Sequence, residues 1–370
     1  MRQNTKNSQN ALFLHGLNLM PELGPARLVK LSSTFSEYEK IYGSKEEELI
    51  AAGFEQTLAK KILNHLKTIN LEEEAEKLFN ANVSLLTPEH NNYPKLLREI
   101  PKFPPLLYTK GHMNTEEELC IAVVGTRQLT NYGRAIIPDL IGPIVEKGIT
   151  IVSGLAFGVD AEAHKQSISK QKRTIAVLGG GLDNSSIYPK HHQFLAQQIL
   201  DSNGALISEY PLGTPNFKQN FVARNRIISG LSVATIVIEC SLDSGSLITA
   251  NHALEQNRQV FAVPGPIYAP MSKGPNNLIK MGAKPITLAS DIFEELNLEN
   301  LEQEKENATI FGDTPTETCI LKLLSKEPVN INSIIKISGL SPSETTSALT
   351  FLEIKGKVKN LGGQQYILSR

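Results

Sequence analysis

The chain is short of cysteine. Cys120, Cys240 and Cys319 are its only three in 370 residues, and no two stand at a zinc-ligand or C-x-x-C spacing. That excludes a disulfide-framed scaffold and a cysteine zinc site, and leaves three small side chains suited to burial in a reducing compartment. Net charge is nearly as scarce. With 37 Lys and Arg against 38 Asp and Glu the formal charge is -1, so any site for a polyanion has to be a local patch. Long apolar runs are missing too. Nothing approaches the roughly 20 residues of a membrane span. The best leader candidate, "ALFLHGLNLM", is short, broken by His15 and Asn18, and followed by no cleavage pattern. These absences predict a cytoplasmic protein with no membrane partner. Cofactor signatures are absent as well: "GLAFG" is not G-x-G-x-x-G, "GGGLDNSSIYP" runs into proline instead of a helix, and no P-loop lysine motif occurs. His191 and His192 lack carboxylates at metal-ligand spacing, so neither a metal nor a cofactor is expected.

What is present is an ordinary globular balance, 41% hydrophobic and 20% charged, in a chain long enough for two or three domains. Residues 1–82 read as a small N-terminal helical domain, of SAM or helix-hairpin-helix type. There "SKEEELIAAG" offers Ser44 as an N-cap, Glu47 as its capping-box partner and Gly53 past the end, and Pro25 opens another helix after Gly24. The turn before Pro25 resembles the phosphate-facing turn of a helix-hairpin-helix, but Glu22 would repel phosphate there, which favours a plain helical bundle. Residues 83–297 begin with a Pro-rich extended stretch and then change character. Short runs, "IAVVG", "ITIVSG", "TIAVLGGG", "ALISE", "VATIVIE", "QVFAVPG" and "PITL", recur with helical patterns between most of them. Their hydrophobicity is continuous, which calls for burial on both faces. The fold class is therefore α/β, an extended Rossmann-like, doubly wound, mostly parallel sheet. Residues 298–315 read as an acidic linker and 316–370 as a C-terminal winged helix, three helices and a hairpin through Gly362 and Gly363. Ser341 and Glu344 form a capping box for the third helix.

In such sheets ligands sit outside the carboxyl ends of the strands. Here nearly every strand ends in glycine or another loop-friendly residue, as in "VVGTR", "SGLAFGVDAEAH" with Gly154 and Gly158 around a tight turn, and "CSLDSGSLITA". Glycines admit a ligand close to the backbone, and the helix starts that follow favour phosphate; the same glycines also serve simply to make short turns. Asp160, Glu162 and His164 cluster in one turn, but an acid at a helix start is an expected dipole partner, so no catalytic residue is assigned. Arg127 follows the first strand of the parallel series, and "FKQNFVARNRIISGLS" carries Lys218, Arg224 and Arg226 with Phe217 and Phe221. In a helix Arg224 and Arg226 point to nearly opposite sides, because two residues subtend about 200°. One of them should brace the scaffold. A cation beside an aromatic face is the arrangement a single strand needs, phosphate to charge and base to ring; plain core packing of either Phe is the alternative.

Taken in order, "VVGTR…YG", "SGLAFGVDAEAH", "TIAVLGGGLDNSSIYPKHH", "ISEYPLG", "FVARNRIISGLS", "CSLDSGSLITANHALEQNRQVFAVPG" and "GPNNLIKMGAKPI" resemble the DNA-processing protein A (DprA, or Smf) family. The resemblance implies a homodimer that binds single-stranded DNA without base preference and hands incoming strands to the recombinase RecA in natural transformation. It implies a DNA site at Gly125, Thr126 and Arg127, the G-[ST]-R motif, with Gly154, Lys218, Phe221 and Arg224, leaving Arg226 as the brace. Val222 stands where many relatives carry proline. The implied dimer contact lies near the last strand, at Leu278, Ile279, Met281 and Lys284. The third helix of the winged helix has no basic residue before Lys355, which favours an accessory or protein-contact role over base reading, with Lys355, Lys357 and Lys359 as weak phosphate contacts. The competing reading is a nucleotide hydrolase similar to the phosphoribohydrolases that carry a "PGGxGTxxE" loop. Against it, Asn251 or His252 stands where that loop needs its acid.

Overall fold

Continuously apolar runs become strands whose every residue is buried: β3 (Cys120–Val124), β4 (Thr150–Ser153), β5 (Thr174–Leu178), β6 (Ala205–Ser208) and β7 (Ala234–Val237). The computed structural model describes residues 2–35, 37–113, 119–298, 313–324 and 328–368. The sheet is completed by β1 (Ser84–Leu86), β2 (Leu107–Gly111), β8 (Gln259–Ala262) and β9 (Lys284–Pro285). Its nine strands run in the order β1-β2-β6-β5-β4-β3-β7-β8-β9. All neighbours from β6 to β9 are parallel, while β2 pairs antiparallel with both β6 and β1. From β3 the chain winds outward through β4, β5 and β6, then returns to place β7 on the other side of β3. The topological switch, and with it the ligand crevice, therefore lies at the carboxyl ends of β3 and β7. The sequence pattern shows seven of these strands. It reads β2 only as part of an extended Pro-rich stretch and does not mark β1, since β1 has three residues and β2 follows two prolines.

The N-terminal helices are Arg2–Asn18, Pro25–Thr34, Tyr38–Tyr42, Glu46–Ala51, Gln56–Thr68 and Leu71–Asn80. Their apolar faces share one core with the sheet: Leu14, Leu17 and Leu31 belong to the same buried cluster as Leu106, Tyr108 and Leu178. The capping box expected at Ser44 sits one residue later. The Ser44 hydroxyl is drawn back to the Ile41 carbonyl, and Lys45 N–H donates to Glu48 instead. Glu22 pairs with Lys61 at 3.1 Å, so the turn before Pro25 presents a neutralised carboxylate.

Residues Met1–Ile292 form one compact unit and Phe293–Arg370 another. The second unit is a winged helix: helices Pro315–Leu323, Ile331–Ser338 and Pro342–Ile354, and the strands β10 (Val329–Asn330), β11 (Val358–Gly362) and β12 (Gln365–Leu368) in the order β10-β12-β11. Ser341 and Glu344 close their capping box there. Of the expected acidic linker, 298–315, residues 299–312 lie outside the described residues. Among the described residues no helix is long and apolar enough to cross a membrane. Cys120 and Cys240 are buried, whereas Cys319 is only half-buried.

Candidate nucleic-acid interface

A cavity of about 560 Å³ opens at the switch point. Its back wall is the end of β3, where Gly125 lies so close to the following layer that a Cβ would come within 2.4 Å of Val159 Cγ2 and 2.9 Å of the Glu239 carbonyl. The loop after it is pinned from β7. Thr126 N–H donates to the Glu239 carbonyl at 2.6 Å, and the Glu239 carboxylate accepts from the Thr130 hydroxyl at 2.6 Å and the Thr130 N–H at 3.2 Å. The sequence reading did not single out Glu239; its only sequence signal is an acid closing an apolar strand. Pinning the loop leaves the Arg127 side chain in solvent, with its guanidinium 5.8 Å from the centre of the Phe221 ring. Thr126 is buried, accepts from Gln128 N–H, and stands outside the cavity lining.

The facing wall is the helix Lys218–Gly230, capped by Phe217 without a side-chain bond. Lys218, its first residue, is exposed at the cavity rim. Neither Arg127 nor Lys218 pairs with a carboxylate among the described residues, so both charges are free for a ligand. One turn along, the half-buried Phe221 lines the cavity, and Gly179 makes room for it: a Cβ there would lie 2.9 Å from Phe221 Cδ1. The Tyr188 ring, 44% exposed, sits 5.6 Å from Phe221. Tyr188 was passed over in the sequence, where "IYPK" reads only as a loop. Phe217 is exposed and does not line the cavity.

Arg224 is placed differently from what its grouping with Lys218 implies. It lines the cavity floor but is only 4% exposed, and one guanidinium nitrogen donates to the carbonyls of both Gly154 (2.8 Å) and Val177. Burial lowers its pKa to about 10, which still leaves it protonated at neutral pH. Beneath it Asp160 accepts the N–H groups of Gly154 and Ala156 at 3.1 and 3.3 Å. Burial pushes that carboxyl up, while Arg224 and the two amides pull it back. Gly154 serves this pair: a Cβ would stand 2.6 Å from the guanidinium. Arg226 points the other way and pairs with Glu209 at 2.6 Å, both nearly buried. Both arginines are therefore tied into the scaffold, and only one of them reaches the cavity.

The remaining wall is the start of the helix Gly245–Glu255, where Ser244 caps Ser246 N–H and both serines line the cavity. Asn251 and His252, which stand where a hydrolase loop would need its acid, do not line it. Asp160 and His164 do not form an acid–base pair either, because His164 is buried against Thr174 at 2.7 Å. Among the described residues no cluster of His, Cys, Asp and Glu could hold a metal. Of the residues implied for a dimer contact, Leu278 faces inward, 3% exposed in the sheet core, and Ile279 packs half-buried on it. Met281 is 66% exposed, and Lys284 is exposed on the edge strand β9.

A sequence model described as DNA recombination-mediator protein A matches residues 84–297, the span of the whole sheet, and one described as DprA winged helix domain matches 304–364. Protein Smf of Synechocystis is 34% identical over 97% of this chain and 99% of its own. The crystal structure of DNA processing protein A from Streptococcus pneumoniae is 34% identical, with a TM-score of 0.61 over 68% of this chain and 86% of that one. A Helicobacter pylori structure, described as giving insight into the single-stranded DNA binding mode of DNA processing protein A, is 31% identical, with a TM-score of 0.52 over 59% of this chain and 96% of that one. With the family's sheet and winged helix both matched and a relative aligned nearly end to end, the chain belongs to the DNA recombination-mediator protein A (DprA/Smf) family.

Proposed function

We propose that this protein binds single-stranded DNA in the cavity at the switch point, without catalysis, as a recombination mediator. The observation that carries the reading is one cavity lined by two cations that pair with no carboxylate among the described residues, Arg127 and Lys218, and by an aromatic pair, Phe221 and Tyr188. Phosphates go to the cations and a base to the rings, which favours a strand whose bases are unpaired. Arg224 supports the Phe221 ring from below, its guanidinium 5.9 Å from the ring centre. Gly125 and Gly154 make room for the packing that shapes the floor, Val159 behind the one and the Arg224 guanidinium beside the other. Asp160 is the only carboxylate lining the cavity among the described residues, and it is already committed to Arg224 and two amides. That argues against hydrolysis of a bound nucleotide.

Family membership extends the reading: protection of incoming strands in the cytoplasm, their transfer to RecA in natural transformation, and pairing of two copies along the β9 edge through Met281 and Lys284. The test is fluorescence anisotropy of labelled oligo-dT against a duplex of equal length over a salt series. Single strands should bind more tightly, with log affinity falling linearly in log salt. Arg127→Ala or Lys218→Ala should each shallow the slope by about 0.7. Equal affinity for duplex, or release of free base from nucleotides at a catalytic rate, would sink the reading.

A further inference from the structure

The loops after β4 and β5 carry further aromatic rings that the cavity does not use. Phe157, in the loop after β4, is 41% exposed and lies 4.8 Å from the His192 ring and 6.3 Å from the His191 ring. A narrow cleft lined by Arg127, Phe157, Tyr188 and Phe221 joins this group to the cavity. The arrangement is held in place, because His192 Nδ1 bonds the Leu155 carbonyl at 2.8 Å and so ties the two loops together. Lys190, between Tyr188 and His191, is exposed and pairs with no carboxylate among the described residues. An exposed ring held edge to face by His192, with a cation beside it that pairs with no carboxylate among the described residues, repeats the chemistry of the cavity wall: a sequence-tolerant platform with phosphate neutralised alongside. An apolar protein partner would not need the cation, and a bare phosphate would not need the rings.

We propose that Phe157, reached through the cleft past Tyr188, forms a second base-binding subsite, which takes the nucleotide next to the one held by Phe221 and Tyr188 and sets Lys190 on its phosphate. The inference rests on reading the cavity as a single-strand site and extends that site along the strand. Because the protein has no tryptophan, Phe157→Trp places a single indole reporter on the shelf. Oligo-dT should quench it in step with the anisotropy change of the same mixture. Separately, Phe157→Ala should weaken oligo-dT roughly 5- to 150-fold, the worth of stacking one base, and leave unchanged the affinity for a strand of abasic nucleotides of the same length. Full anisotropy with a silent indole overturns the shelf and leaves the cavity standing. So does a Phe157→Ala loss that is equal on abasic and normal strands, since that marks Phe157 as a prop for its loop and not as a ring that stacks a base. No binding of oligo-dT by the unaltered protein overturns both.

Discussion

Arg127 and Arg224 carry the same charge and lie within 5.8 and 5.9 Å of the same ring centre, yet they do opposite things. Arg127 is exposed and unpaired, so Arg127→Ala should change stability by less than about 0.5 kcal/mol. Arg224 neutralises buried Asp160 and satisfies two carbonyls. Its removal leaves Asp160 with only its two amides and takes a donor from the buried Gly154 and Val177 carbonyls, a cost of about 1–3 kcal/mol for each group left short. Urea unfolding of the two variants should show that gap, and equal midpoints would refute the brace. His164 supplies a pH signature. The Thr174 hydroxyl donates to the Ile151 carbonyl at 2.8 Å, so His164 Nδ1–H must donate to Thr174, which leaves Nε2 bare and without a partner among the described residues. Burial pushes its pKa from 6.5 down to about 3. A depressed folded pKa on a base means that the unfolded chain binds the extra proton between those values, so stability falls with acidity. From about pH 6.5 to about pH 5 His164 alone should remove about 1.5 kcal/mol, and His164→Gln should flatten that part of the stability–pH curve. The sequence showed that Arg224 and Arg226 diverge, because helical geometry dictates it. It could not show that both are tied down, because Glu209, Gly154 and Val177 come to them from three other segments.

The helix Lys218–Gly230 sets the spacing between the free cation at its start and the ring one turn later. Val222 sits inside it, where the helix needs an N–H for its ladder. A proline there would remove one bond and press on the preceding turn, a cost of about 3 kcal/mol or more. Val222→Pro in this chain should therefore lower the urea midpoint and weaken oligo-dT binding together, by moving Phe221 off its seat on Gly179. Unchanged binding would mean that the helix start is not what positions the ring. Charges in the winged helix illustrate the same dependence on neighbours. Lys355, expected as a weak phosphate contact, is held at 2.7 Å by both Asp313 and Glu317, and Lys357 lies 3.9 Å from Asp313. These pairings are invisible in "FLEIKGKVKN", since the acids come from the first helix of the unit and the residues before it. Capping is legible where a motif is local and uncontested, as at Ser341 and Glu344. It slips by one residue at Ser44, where the preceding helix competes for the hydroxyl.

At the scale of the molecule, the central parallel strands β3 to β7 were readable because burial on both faces leaves a run of apolar residues that no turn imitates. The two antiparallel strands were not, and neither was the absence of a seam below them. Tyr108 on β2 is fully buried under the N-terminal helices, its hydroxyl 2.8 Å from His15 Nδ1 and 3.2 Å from Asn18 Nδ2, and Asn18 reaches on to the Glu209 carbonyl. A boundary near residue 82, natural from composition, therefore cuts through one core. Each fully buried apolar side chain returned to water costs roughly 1.5–3 kcal/mol. Uncovering the sheet-side members of that cluster would thus consume much of a domain's usual stability of about 5–15 kcal/mol. The second unit has its own core of Ile320, Leu321, Ile334, Leu349 and Leu352. Two truncations should behave unequally. Removal of residues 1–82 should lower the melting temperature of the sheet unit steeply and raise the binding of a hydrophobic dye, with loss of oligo-dT affinity following from the loss of structure. Removal of residues 313–370 should leave the main transition and the affinity for short oligo-dT close to those of the full chain. If the first truncation melted like the full chain, the shared core would not be what holds β2 in place, and the residues from 83 onward would fold alone.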